Sequence, residues 1–133
     1  MIAQYFNSYI VTLLVLVGLD VSWICLFAKD IYKKQIGHLM GNKNPYWPAL
    51  ILYALYAAAL LVFVIEPSLD DAACADAIKK ALLLGLTCYG AYSLTNQATL
   101  NKWPLNMTIM VMAWGATLTS LVTCISRFIL IKG

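Results

Sequence analysis

Hydrophobic residues fall along this chain in four long runs, Tyr5–Ala28, Tyr46–Ile65, Ala77–Leu100 and Leu105–Ile131, separated by shorter segments that hold most of the charge. At about 1.5 Å per residue, a helix of about 20 residues crosses the roughly 30 Å of hydrocarbon in a bilayer. Backbone amides find no water in lipid, so such runs must close their hydrogen bonds internally, as helices. The pattern predicts an all-α polytopic membrane protein, a bundle of four transmembrane helices making one domain over residues 1–133, with no room for a soluble domain.

The punctuation between the runs supports these boundaries. Asn44-Pro45-Tyr46-Trp47-Pro48 opens the second run, where proline suits a first helical turn and the aromatics suit a headgroup interface. Glu66-Pro67-Ser68 closes it, and Glu66 reads as a solvated end residue. Lys102-Trp103-Pro104 makes the third and fourth runs an antiparallel hairpin. Asp70-Asp71 favour the start of a short interfacial segment before Lys79-Lys80. The first run has no Lys or Arg before it and no small-residue cleavage pattern after it, so it reads as a retained helix and not a secretory signal.

Composition then rules out a soluble alternative: 62% of the 133 residues are hydrophobic and 11% are charged, with a mean hydropathy of +0.79. Charge adds an orientation. The first loop, AKDIYKKQIGHLMGNKNP, holds Lys29, Lys33, Lys34 and Lys43 against one acid, and the third carries Lys102. The opposite side holds Lys79, Lys80, Arg127 and Lys132. Basic residues favour the first side by five to four, which places the first and third loops in the cytoplasm by the positive-inside rule. Lys33-Lys34 suit anionic lipid headgroups.

Within this apolar frame one residue stands out. Asp20, in GLDVSWICLF, lies about eight residues from the first-loop end of its run, so about 12 Å inside that end. A carboxylate at mid-membrane costs about 2.5–3.5 kcal/mol on insertion scales and survives only with partners, water or a proton. The same arithmetic brings Tyr53 and Tyr56 of the second run, Tyr92, Ser93 and Asn96 of the third, and Trp114 of the fourth into the same half of the bilayer. Trp23 shares a helix face with Asp20, as does Leu16 one turn earlier. Tyr89, Tyr92 or Ser93, Asn96 and Thr99 make a polar stripe on the third run that should face the bundle or a wet cavity. Gly18, Gly85, Gly90 and Gly115 allow close helix approach.

These residues predict a semi-polar pocket open to the first-loop side, in which Asp20 is hydrogen-bonded to Asn96, Ser93 and a tyrosine hydroxyl. The plainer reading is that Asp20 ties the first span to the third as structural glue. His38, the only histidine, is a first-loop candidate whose simplest role is that of a surface or capping residue. Cys25, Cys74, Cys88 and Cys124 show no metal spacing. Three of them lie in predicted spans and read as small packing residues, with Cys74 in the second loop the one to test for reactivity. No serine triad, phosphate-binding loop or paired-carboxylate site is present in the pattern. We therefore expect no catalytic residue, metal, cofactor or nucleic-acid partner.

The combination LDVSW, IGHLM, NPYWPAL-x-x-Y-x-L-Y, YSLTNQATLNKWP and AWG resembles a family of small bacterial four-helix inner-membrane proteins, domain of unknown function 2177. The likeness covers nearly the whole chain. It implies a multi-pass protein of the bacterial cytoplasmic membrane and carries over no activity. It also implies an acidic residue in most relatives where this chain has Ser93, and often another where it has Val111. This chain keeps Asp20 and lacks both, so a function resting on several intramembrane carboxylates, such as proton coupling, would be impaired or carried by hydroxyl and amide groups.

Three functional readings follow. One is a transporter or binding protein whose Asp20, Trp23, Tyr53, Tyr56, Tyr92, Ser93, Asn96 and Trp114 line a pocket for a small amphipathic or cationic molecule. Another is a non-catalytic partner subunit or assembly factor. The third is a lipid-modifying enzyme using Asp20 or His38. Four helices enclose little space, so a homodimer is expected.

Overall fold

A computed structural model describes residues 2–39, 47–69 and 74–132. Every regular element among them is helical, and they assemble into four rods. The first rod is α1 (Ile2–Trp23), a π-helical turn (Ile24–Ala28) and α2 (Lys29–Ile36), ending in a 3-10 turn at Gly37–Leu39. The second is α3 (Trp47–Leu60), a second π turn (Leu61–Ile65) and α4 (Glu66–Leu69). The third and fourth are α5 (Cys74–Thr99) and α6 (Leu105–Lys132). The chain is an all-α membrane protein. Leu14, Leu26, Leu50, Leu55, Phe63 and Leu83 are each more than half exposed, an apolar exterior that only lipid solvates without cost.

Ala3–Ile36, Trp47–Leu69 and Leu105–Ile131 are long and apolar enough to cross a membrane. The third expected span, α5, has the length at 26 residues but is not among them, because Asp76, Lys79 and Lys80 in its first turns and Ser93, Thr95, Asn96 and Gln97 in its last leave too short an apolar stretch between them. Cys74 is the first residue of α5 and not part of a loop. Asn44, Pro45 and Tyr46, expected to open the second span, lie outside the described residues, as do Lys43, Asp70 and Asp71.

The segment expected as the first loop is helical as far as Ile36. KDIYKKQI is amphipathic: Lys29, Lys33 and Lys34 are exposed, while Tyr32 and Ile36 pack on Trp103, Met107 and Val111 of the α5–α6 hairpin. Burial of that second face outweighs the pull of the lysines toward water, and their long stems keep the charges outside.

α6 is the central rod, packed along α5 on one side and α1 on another. The main core joins Leu16, Leu60, Ile65, Leu118 and Val122. Glycines set the α5–α6 distance: a methyl group on Gly85 would strike the Gly115 carbonyl, and one on Gly115 would strike the Tyr89 ring. Gly18 differs from the expected pattern, since a methyl group there meets nothing within 4 Å.

Arg127, counted above as a flanking charge, is buried, with 7% of its surface exposed. Its Nε donates to Ser68 Oγ at 2.8 Å and its Nη2 to the Ser68 carbonyl at 3.1 Å. It thereby satisfies a carbonyl at the carboxyl end of α4, where a cation also complements the helix dipole.

The hairpin turn is tied by side chains. Gln97 donates to the Trp103 carbonyl at 3.0 Å, Thr108 donates to Gln97 Oε1 at 2.8 Å, and the Trp103 indole N–H donates to Thr108 Oγ1 at 3.0 Å. Lys102 takes φ = 64°, the left-handed conformation that glycine adopts without strain. Lys102→Gly should therefore raise stability by about 0.5–1 kcal/mol, read as a small upward shift of the thermal midpoint in detergent. A lower midpoint would show that the Lys102 side chain holds the turn.

Candidate intramembrane pocket

The polar centre is built by α1, α3 and α6. Asp20, near the end of α1, accepts hydrogen bonds on both carboxyl oxygens: from the Tyr53 hydroxyl to Oδ2 at 2.5 Å and from the Trp114 indole N–H to Oδ1 at 3.0 Å. Trp23, one turn on, lies flat against Trp114, with ring centroids 4.4 Å apart and planes 11° from parallel. This stack and the two hydrogen bonds leave the carboxyl group one orientation, set by three helices.

Asp20 opens onto a cavity of about 340 Å³. The first rod contributes Asp20, Ile24 and Tyr32 to its lining; α3 contributes Leu52, Tyr53 and Tyr56; α5 contributes Cys88, Tyr89 and Tyr92; and α6 contributes Met107, Val111 and Trp114. These positions belong to the end of the first rod, the start of α3, the end of α5 and the start of α6, so the cavity occupies the first-loop half of the bundle. Below it, the Tyr56 and Tyr89 rings meet edge to face at 5.9 Å. The Thr119 hydroxyl spends its hydrogen on the Gly115 carbonyl at 2.7 Å, so Tyr56 is the donor in its 2.5 Å contact with Thr119.

Of the residues singled out from sequence, Asp20, Tyr53, Tyr56, Tyr92 and Trp114 line the cavity. Trp23 supports it through the stack on Trp114. Ser93 and Asn96 are not among the lining residues. The expected tyrosine hydroxyl at Asp20 is that of Tyr53, whereas the expected bonds to Ser93 and Asn96 give way to one from Trp114. The reason is rotational: Asp20 points toward α3 and α6, and Ser93 is buried. His38 is exposed on the 3-10 turn and is not among the residues lining the cavity.

Ile24, Tyr32, Leu52, Cys88, Met107 and Val111 were not expected in the lining, and Tyr32 reaches it through the π turn, which the residue pattern does not announce. At about 100° per residue, Asp20 and Tyr32 would sit about 120° apart on a regular helix. The extra residue of the π turn brings them to within about 20° of one face. Cys25 and Cys88 do not pack inside as expected, since both are exposed. Lipid around the rods makes such exposure inexpensive, and Cys88 reaches the cavity as well. Of the two positions where the resemblance implies acids in relatives, Val111 is on the cavity wall and Ser93 is not.

Among the described residues, no three His, Cys, Asp or Glu side chains gather as a metal-ligand group. Among the described residues, Asp20 is the one acid lining the cavity, and no Lys or Arg lines it. The arrangement can hold a guest that has apolar surface and a positive or hydrogen-bond-donating group, because an ionised carboxylate has lone pairs beyond the two in use.

No curated protein and no solved structure matches the chain. A family described as predicted membrane protein (DUF2177) matches residues 5–128. With that match covering nearly every rod and the whole polar centre, the chain belongs to the DUF2177 family of membrane proteins.

Proposed function

We propose that this protein binds, and in a membrane carries or senses, a small amphipathic or cationic molecule in the pocket around Asp20. The observation that supports this is a carboxyl group on the wall of a 340 Å³ cavity shared with five tyrosines and, among the described residues, no basic one. A carboxylate kept only as glue is expected to be enclosed by its partners, whereas this one faces open space. Aromatic rings beside it favour a cation through their negative faces, by about 0.5–2 kcal/mol each. The volume falls within the range of about 300–1,000 Å³ common for small-molecule sites.

In this reading all four rods cross the cytoplasmic membrane of a bacterium, and the first and third loops face the cytoplasm. α5 crosses despite its polar turns because Tyr89 and Ser93 turn inward and spare it part of the cost. The test is native mass spectrometry of protein gently extracted in detergent, wild type beside Asp20→Asn. The expected result is a small molecule retained by the wild type and lost from the variant. A wild type that never carries or takes up a guest, with an oligomer that dissociates only in Asp20→Asn, would sink the reading.

One observation favours a second reading, that of a partner subunit or homodimer. Part of the polar stripe on α5 faces outward: Tyr92 is 53% exposed and Thr99 is exposed, as is Thr95 beside them. Polar groups on a lipid-facing surface favour contact with another helix. The same spectra record copy number, and a dimer lost on Thr95→Leu with Thr99→Leu would support that interface.

A further inference from the structure

The four rods are not equally close along their lengths. α3 packs on α1, but the second rod meets α5 through the π turn at Leu61–Ile65 and through α4, at the end away from the cavity. The second and third rods thus converge at one end and part at the other, and the cavity lies where they part. Its lining residues at that gap are open to the surroundings: Leu52 on α3 is 61% exposed and Tyr92 on α5 is 53% exposed, with Cys88 exposed beside it. Their neighbours Leu55 and Leu94, 65% and 52% exposed, belong to the lipid-facing surface. The mouth of the cavity is continuous with the side of the bundle.

The first-loop end of the cavity lies between the first rod and α6. Tyr32 and Met107 line that end, and Tyr32 and Ile36 of α2 lie across Trp103, Met107 and Val111.

Resting on the pocket reading above, we infer that the ligand is a lipid-soluble cation, an ammonium head on an apolar chain, which enters sideways from the bilayer between α3 and α5. The head pairs with Asp20 among Tyr53, Tyr89 and Trp114. The chain lies past Leu52 and Tyr92, where the wall gives way to lipid. Charge complementarity selects the head, since the described lining of the cavity has one acid and no base. The apolar, lipid-facing mouth selects the chain, because a fully hydrated cation would have to leave its water at the edge of hydrocarbon.

The test compares two probes with the same head, dodecyltrimethylammonium and tetramethylammonium, each radiolabelled, on protein in lipid nanodiscs. Only binding that is lost in Asp20→Asn is counted. The expected result is Asp20-dependent binding at least tenfold tighter for the chain-bearing cation. Leu52→Trp, which narrows the mouth, should weaken that binding at least fivefold, while Leu55→Trp, one turn away and outside the cavity lining, should leave it unchanged. Equal Asp20-dependent affinity for the two cations, or equal effects of the two tryptophan variants, would overturn the lateral route and leave the pocket standing. The absence of Asp20-dependent binding of either cation would overturn the pocket reading along with it.

Discussion

Gly115→Ala should lower the stability of the folded protein by about 1–3 kcal/mol, as overpacking of a tight interface generally does. The added methyl group would overlap the Cβ, Cγ and Cδ1 atoms of Tyr89, and a Cβ cannot swing away on a side-chain rotor. Either α5 and α6 separate or the Tyr89 helix turn shifts. Gly85→Ala should cost at least as much, since the obstacle there is the Gly115 carbonyl, part of the backbone. Gly18→Ala is the control: nothing lies within 4 Å of the new methyl group. Alanine's better helix propensity should leave it neutral or more stable by up to about 1 kcal/mol. Thermal unfolding in detergent, followed by circular dichroism, measures all three. A Gly115→Ala protein as stable as Gly18→Ala would mean that α5 and α6 are not packed as closely as described.

Asp20→Ala should cost about 1–3 kcal/mol. It strands the Tyr53 hydroxyl and the Trp114 indole N–H, each of which donates to the carboxyl group. Interhelical hydrogen bonds in membrane proteins are worth about 0.6 kcal/mol on average and at most about 1.7. Asp20→Asn keeps an acceptor oxygen for one of the two donors and should lose less. The decisive measurement is a double-mutant cycle. Tyr53→Phe should destabilise the wild type by about 0.5–1.5 kcal/mol and have almost no effect in the Asp20→Ala background, where its partner is already gone. If the two losses simply add, the Tyr53–Asp20 hydrogen bond does not contribute to stability.

The cost of that polar centre also bears on function. Asp20, Tyr53 and Trp114 come from three rods, so a guest that pairs with the carboxylate acts on the packing of all three. Binding there should raise the thermal midpoint, and the rise should vanish in Asp20→Asn.

Much of this molecule could be read from its residues in order. An apolar run of spanning length has one solution in lipid, a helix with every backbone amide paired internally, and this made the all-α membrane fold legible. Depth was legible too, because rise per residue is constant: Asp20, Tyr53, Tyr56, Tyr92 and Trp114 were expected in one half of the bilayer and line one cavity. The first loop was not legible. Its lysines read as water-facing, and they are exposed, but the Tyr32 and Ile36 face has its partner about 70 residues away on α6.

Rotation was the other hidden quantity. Depth along a rod does not say which neighbour a side chain faces, and a π turn at Ile24–Ala28 rotates everything after it by about one residue's worth of arc. That turn carries Tyr32 onto the Asp20 face, while Asp20 itself, which precedes it, was assigned by depth to Asn96, Ser93 and a tyrosine hydroxyl; the tyrosine is Tyr53, and Trp114 takes the place of the other two. The parting of α3 from α5 has the same character, since it depends on where the rods touch and not on the composition of either one. Local sequence thus settles helix, lipid exposure and depth, which follow from backbone hydrogen bonding and hydrophobicity alone. Which polar groups meet, and on which side their cavity opens, were decided by the packing of the rods.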